Sequence, residues 1–544
     1  MENKQENTFG NVKMMKKLWE ENEQEMDVGM NSYKTIEKES LCVNLDKLTP
    51  IQKFYHGESV LITGGSGFLG KLLIEKLLRG CPGIKCIYLL IRSKKGKNVS
   101  QRTDEIVENV LFSTLKEKEP TFRNRIISIE GDCSLPNLGI SIIDSAKLVK
   151  EVSIIFHVAA TVRFNEGMKS ATAINVRSLK DLINLSKNMP KLKSFVHVSS
   201  VYANCLQSLI EEKFYEPPMD SDKLINFVDS IDEKLLDEIT PRLFGICPNS
   251  YVYTKAVAEN VVKKNIGTIP IGIFRPGIVI STYREPIQGW TDNIYGPVGV
   301  GLGAGIGLVR VFHCDGSVKV SVVPCDMTIN GIIASAWDIA CNRRSNDDIP
   351  IYNYVSKDNP ITYDDIKDLA VKYGMPVPTM EAIWYYSFRN IKYRLVYTLY
   401  IYFLHLLPAL IVDTFAFCIG KQPRLLKIYR KIHKSSDVLR LFSTTEWKFT
   451  NERWDELLKN LTTEDRQLFF CDIKELVWDK FFVKYALGIR MYILKDPIET
   501  LPQARIKWRR LYWMHQTLKL IIAFVFLTTT WAVISRLLIT FEYA

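Results

Sequence analysis

Ser59-Val60-Leu61-Ile62-Thr63-Gly64-Gly65-Ser66-Gly67-Phe68-Leu69-Gly70, running on into KLLIEKLLRG, is the stretch that decides the fold. A short β-branched run stops at glycines 64, 67 and 70 and passes into a segment with helical apolar spacing, which reads as strand, tight turn, helix. In such a unit the glycines let the backbone approach a pyrophosphate. The first turn of the helix then presents unpaired N–H groups and its positive dipole end to the phosphates. The residues expected to meet a dinucleotide there are Thr63, Gly64, Gly65, Ser66, Gly67, Phe68, Leu69 and Gly70.

Outward from the turn, short apolar runs at 59–62, 85–91, 125–130, 153–158, 193–198 and 269–274 alternate with helical stretches. The alternation predicts repeated βαβ units, hence an α/β, Rossmann-type doubly wound parallel sheet. The runs are almost continuously apolar, as strands covered on both faces require. At the end of the second run, where an enzyme using NAD places a carboxylate for the ribose 2′-hydroxyl, the chain reads Leu89-Leu90-Ile91-Arg92-Ser93-Lys94-Lys95. A guanidinium at Arg92 suits a 2′-phosphate, so NADPH is the expected cofactor. Asp132, at the end of the third run, is positioned to accept from the adenine amine. Ala159, at the end of the fourth, is small where the backbone must lie close to the cofactor.

Pro248-Asn249-Ser250-Tyr251-Val252-Tyr253-Thr254-Lys255-Ala256 opens a helix, which sets Tyr251 and Lys255 at i and i+4 on one face. A free phenol has a pKa near 10, and a neighbouring ammonium is expected to bring it toward the working range. Tyr253, two residues before the lysine, faces away. The fifth run ends Val198-Ser199-Ser200-Val201-Tyr202, which offers two hydroxyls to a carbonyl oxygen gaining negative charge; Ser200 is preferred and Ser199 is the alternative.

The formal net charge is +11, but the basic residues are dispersed, which points to anionic cofactor and lipid headgroups rather than nucleic acid. Eleven cysteines without a C-x-x-C pair indicate neither a disulfide framework nor a metal site. Residues 1–46 read as a solvated arm with no secretory signal, 47–358 as the dinucleotide-binding domain and 359–504 as a mainly helical domain. Residues 505–544 read as a basic flank with a terminal transmembrane helix. The glycine-rich stretch 296–307 is too costly for a regular helix and is expected to be a loop, either a wall of the substrate site or plain surface. The apolar segment 518–539 is long enough to span a bilayer. Arg505, Lys507, Arg509 and Arg510 precede it and keep the large N-terminal portion on the cytosolic side. Segment 395–419 is also apolar but contains His405, Pro408 and Asp413, so a buried or membrane-dipping helical hairpin is expected there rather than a span.

The ordered set of glycine turn, basic second strand, serine pair, tyrosine and lysine resembles the extended short-chain dehydrogenase/reductase superfamily. Within it, TGGSGFLGKLLIEKLLR, FHVAATVRFNE, FVHVSSVYAN, NSYVYTKAVAE, FRPGIVISTYREPIQGWTDNIYGP and Leu404-His405-Leu406-Leu407-Pro408 are similar to the fatty acyl-CoA reductases of the animal and insect type, over about residues 60–500. That resemblance implies NADPH at Gly64, Gly67, Gly70 and Arg92, with Tyr251 and Lys255 catalytic and Lys255 also holding the nicotinamide ribose. The implied reaction converts a long-chain fatty acyl-CoA to a primary alcohol through an aldehyde. The family often has threonine where this chain has Ser200, a change that keeps the hydroxyl. Endoplasmic reticulum or peroxisome is the implied membrane, and a homo-oligomer is compatible with it. A sterol-directed reductase of the same superfamily, a lipid-binding module and an inactive scaffold are the competing readings, and the filled Tyr251 and Lys255 positions count against the last two.

Overall fold

Each of the six apolar runs forms a parallel strand: β1 (Ser59–Thr63), β2 (Cys86–Ile91), β3 (Ile126–Glu130), β4 (Ile154–His157), β5 (Ser194–Val198) and β6 (Ile271–Pro276). A seventh strand, β7 (Ile351–Tyr354), joins at the edge. The structure is a computed structural model and describes residues 45–342 and 348–542; the N-terminal arm lies outside the described residues except for its last two. The strand order is β7-β6-β5-β4-β1-β2-β3 and every pairing is parallel. The order reverses between β1 and β4, so their carboxyl ends flank a crevice, the place where open sheets of this kind bind ligands.

Side chains alternate along each strand between two buried layers. Val60 and Ile62 of β1, Leu89 of β2 and Phe156 of β4 enter one layer with α1 (Phe68–Gly80). Leu61, Tyr88, Ile155 and Phe195 enter the other with Val257 and Val261 of α2 (Ser250–Lys263). Helix α1 contributes Leu72, Leu73 and Leu77 to its layer, each at most 2% exposed.

The glycine-rich stretch corrects the sequence reading, because it is a helix, α3 (Pro297–Gly305), and not a loop. Pro297 stands at the start, where its missing N–H costs nothing. The glycines divide by face. A Cβ on Gly299 would lie 2.4 Å from the Ile294 carbonyl oxygen and one on Gly303 2.6 Å from Val309, so these two permit close packing. On the opposite face a Cβ at Gly301 or Gly305 meets nothing within 4 Å. The helical cost of about 0.5–1 kcal/mol per glycine is offset by packing that no larger residue allows.

Helix α4 (Cys325–Cys341) lies against α1 within the first layer. The mainly helical C-terminal part follows as α5 (Tyr363–Gly374), α6 (Arg394–Cys418), α7 (Leu425–Thr444), α8 (Glu452–Asn460), α9 (Trp478–Gly488) and α10 (Leu501–Glu542). It is fastened to the sheet by Trp454 of α8, whose ring meets Phe274 of β6 at 6.0 Å and Tyr354 of β7 at 4.9 Å. Two helices, Arg394–Cys418 and Ile498–Arg536, are long and apolar enough to cross a membrane by length and composition. The second is exposed throughout its apolar run. The first is mostly exposed too, so of the two alternatives expected at 395–419, buried or membrane-dipping, the buried one is corrected.

Candidate active site

At the crevice, the turn after β1 is shaped by contacts that admit only glycine. Gly64 has φ +75°, and a Cβ there would sit 2.6 Å from the Ala159 nitrogen. One on Gly70 would lie 2.3 Å from the Gly64 oxygen, and one on Gly65 2.0 Å from Leu89 Cδ1. The β1 turn is thus pressed against the exit of β4, and α1 begins immediately with Gly67 as an N-cap that makes no side-chain bond to the first-turn amides. This cradle fits a pyrophosphate. Ser66 and Gly67 are exposed at its lip. Phe68 stacks on Trp290 at 5.7 Å and Leu69 packs against the core, so they can offer the crevice only backbone groups. Thr63 differs from the expectation. It is fully buried, shares a 2.8 Å hydrogen bond with His157 and accepts from the Ala159 N–H at 3.3 Å, which ties β1 to β4.

At the end of β2 the Arg92 guanidinium donates to Asp132 at 3.1 Å across the rim. Burial pushes the Asp132 carboxyl up, but donation from Ser134 and then from Arg92 outweighs it and leaves the group below its ordinary value. Arg102, which the sequence reading passed over, donates to the Arg92 carbonyl, and its guanidinium is disfavoured first by burial and then by the Arg92 charge. Arg92 on Asp132 and Arg102 on the Arg92 carbonyl thus set two guanidiniums side by side at the end of β2.

Helix α2 starts at Asn249, whose side chain accepts from the Val252 N–H at 2.9 Å. That cap sets Tyr251 on the crevice side and Tyr253 in the opposite apolar layer, 1% exposed. The Ser200 hydroxyl lies close enough to the Tyr251 phenol to act on its protonation. Ser199 is committed elsewhere, donating to Glu259 at 2.7 Å in the interior, and it leaves the candidate set for that reason. Burial pushes Tyr251 up to about 12, with Ser200 pulling the other way. This departs from the expected lowering. The Lys255 ammonium donates to the Val198 carbonyl at 2.8 Å and is not among the groups acting on the phenol, which therefore stays protonated at neutral pH. Burial pulls Lys255 down to about 8, opposed by the Glu259 charge.

Beneath this surface lies a polar layer that the sequence reading missed. Glu259, one turn after Lys255, accepts from Ser199, from Asn204 at 3.1 Å and from Arg275 at 2.8 and 2.7 Å. Arg275 is wholly buried and also donates to the Glu211 and Lys213 carbonyls, both at 2.9 Å. His157 and His197 stack at 5.4 Å on adjacent strands; burial, and then the Lys255 charge, hold His157 down at about 3 and His197 well below its usual range.

An apolar cavity of about 220 Å³ lies one aromatic layer from Tyr251. Phe164 meets Tyr251 at 5.7 Å and stacks on Phe442 at 5.6 Å, and Phe442 lines the cavity. The other walls come from the open face of α3 (Gly301, Gly305), from Ala370 of α5, from Ile489 and, at α10, from Trp508.

A parallel sheet with a glycine cradle at its switch point, and a Ser-Tyr-Lys set on the neighbouring elements, defines a dinucleotide-dependent reductase of the extended short-chain dehydrogenase/reductase type. Solved structures share the fold. The terminal R domain from the myxalamid PKS-NRPS biosynthetic pathway aligns with TM-score 0.54 at 18% identity, covering 80% of this chain and 90% of that one. The reductase domain of a non-ribosomal peptide synthetase from Mycobacterium tuberculosis aligns with TM-score 0.53 at 17% identity, covering 82% and 99%. Family models described as male sterility protein match residues 62–332, as an NAD-binding domain, and 404–496, as the Sterile domain. The chain is 42% identical over 490 residues to fatty acyl-CoA reductase wat of Drosophila melanogaster, covering 90% of this chain and 94% of that one. It is 36% identical to fatty acyl-CoA reductase 1 of Xenopus laevis over 456 residues (84% and 88%) and 36% to that of Homo sapiens over 459 (84% and 89%). The chain belongs to the fatty acyl-CoA reductase family.

Proposed function

We propose that the chain reduces a long-chain fatty acyl-CoA to the primary alcohol and free CoA, through an aldehyde, with NADPH as reductant. The observation that carries this reading is the Tyr251 phenol, beside Ser200, one aromatic layer from an apolar cavity. The backbone at Gly64, Gly67 and Gly70 holds the pyrophosphate, Arg92 with Arg102 takes the 2′-phosphate, Asp132 borders the adenine, and Ala159 leaves room beside it. When bound, the nicotinamide supplies hydride to the carbonyl carbon. Ser200 and Tyr251 donate hydrogen bonds to the carbonyl oxygen as it gains charge, which favours hydride addition; in the first reduction the oxyanion so formed re-forms the carbonyl and expels the CoA thiolate. In the second, Tyr251 transfers its proton to the nascent alkoxide, a role that suits a phenol held at about 12. Lys255 positions the ribose. The apolar run of α10 anchors the chain in a bilayer with the catalytic part on the cytosolic side.

The test is NADPH oxidation dependent on palmitoyl-CoA with release of free thiol. A chain that oxidises NADPH only with a sterol ketone belongs to the competing reading. Lys255 keeps its charge below its pKa and loses it above, so the rate is expected to fall as pH rises through about 8. A rate that holds level across that range removes the ammonium from the mechanism.

The open face of α3 makes chain length testable. A Cβ at Gly301 meets nothing within 4 Å and the residue lines the cavity, so Gly301→Phe is expected to put its ring there. Each methylene denied burial loses about 0.8 kcal/mol, roughly fourfold in kcat/KM. Palmitoyl-CoA turnover is expected to fall while a shorter acyl-CoA is spared; an unchanged length profile places the acyl chain elsewhere.

A further inference from the structure

We propose that the α6–α7 hairpin is a second membrane contact, with α6 in the acyl boundary of an anionic phospholipid leaflet and one face of α7 against the headgroups. This goes beyond the reductase reading and does not depend on it. Two polar residues of α6 that argued against a span, His405 and Asp413, are turned into the protein. His405 is 1% exposed, accepts from the Arg310 N–H at 3.0 Å and faces His433 at 3.1 Å. Asp413 is 7% exposed and accepts from the first N–H groups of α7, those of Arg424, Leu425 and Leu426, at 3.0, 2.9 and 2.8 Å. What α6 turns outward is Leu399, Phe403, Leu410, Ile411, Phe415 and Phe417, from 51% to 73% exposed. Contiguous apolar surface of that kind marks an interaction site.

Charge selects the occupant. Residues 419–444 carry seven Lys or Arg against a single acidic residue, Asp437. Lys427, Arg430, Lys431 and Lys434 recur at i, i+3, i+4 and i+7, all exposed, on the face of α7 opposite the buried Tyr429 and Ser436. A second copy of the chain would set such a stripe against like charge, whereas anionic headgroups neutralise it. Position agrees. His405 is joined through Arg310, whose guanidinium lies 5.6 Å over the Trp384 ring, to the Trp384 indole, which donates to His515 at 3.0 Å. His515 immediately precedes the exposed apolar run of α10, so the hairpin and that run leave the body on one side. An apolar helix flanked by a basic one is the interfacial arrangement, in which partitioning rises with both apolar area and anionic lipid.

The test uses the full chain with Cys42→Ser and Cys341→Ser, carrying an environment-sensitive fluorophore on the native Cys418, which is exposed at the end of α6. It is reconstituted in vesicles of phosphatidylcholine with or without phosphatidylserine. Expected are a blue-shifted emission quenched by lipids bearing a nitroxide near the ester carbonyl, and stronger quenching with phosphatidylserine. Each basic residue near an anionic surface contributes roughly fivefold to partitioning. The variant Lys427→Glu/Arg430→Glu/Lys431→Glu/Lys434→Glu should therefore lose the phosphatidylserine dependence while still binding NADPH. A label that stays in water, quenching indifferent to phosphatidylserine, or Cys418-to-Cys418 crosslinking between chains without lipid quenching overturns the proposal, the last in favour of a dimer.

Discussion

Tyr251→Phe is expected to bind NADPH as tightly as the unaltered chain and to lose nearly all alcohol formation from palmitoyl-CoA. The substitution removes one oxygen and keeps the ring that packs against Phe164. The cradle at Gly64, Gly67 and Gly70 lies on other elements, so cofactor fluorescence titration should be unaffected. The loss falls on the proton the phenol delivers and on the hydrogen bond it offers the carbonyl oxygen. Positioned acid catalysis contributes about 10²–10⁴-fold, and the product assay should fall by that factor. Alcohol formation at the original rate would take Tyr251 out of the chemistry, and loss of NADPH binding would make its part structural.

Glu259→Gln has the largest expected effect on stability. The carboxylate is 3% exposed and compensates a guanidinium that is wholly buried. Breaking a buried pair by neutralising one partner costs about 3–5 kcal/mol, because the remaining charge keeps its desolvation penalty without its counter-ion. The unfolding midpoint in urea should drop accordingly. A loss under about 1 kcal/mol, the size of an exposed pair, would mean that solvent reaches Arg275. The variant also bears on the site. Glu259 raises the Lys255 pKa, so its neutralisation should move the alkaline fall in rate to lower pH.

The same two residues show what a sequence displays and what it hides. Six strands were legible because a strand covered on both faces must be apolar at nearly every position. Strand β7, with Asn353 inside Ile351–Tyr354, was not, since Asn353 is buried by donating to the Ile210 and Thr450 carbonyls, partners remote in the chain. Tyr251 and Lys255 announced themselves by spacing on a capped helix. Glu259 reads as one more charge on that helix, and only the fold shows Arg275 arriving from β6 to meet it. The choice between Ser199 and Ser200 turned on the same carboxylate. Helix α3 was misjudged because intrinsic propensity was weighed without the neighbours that make glycine necessary at 299 and 303. The cavity had no linear signature, its walls being drawn from residues between Ile278 and Trp508.

The stacked histidines have a bearing on where such an enzyme can operate. With His157 held at about 3 and His197 also far below its usual range, neither gains a proton under mildly acidic conditions, and Lys255 stays cationic until about 8. These three groups thus carry the same charges in mildly acid as in neutral surroundings. Acidification of that size gives these three groups no means of turning the reaction down.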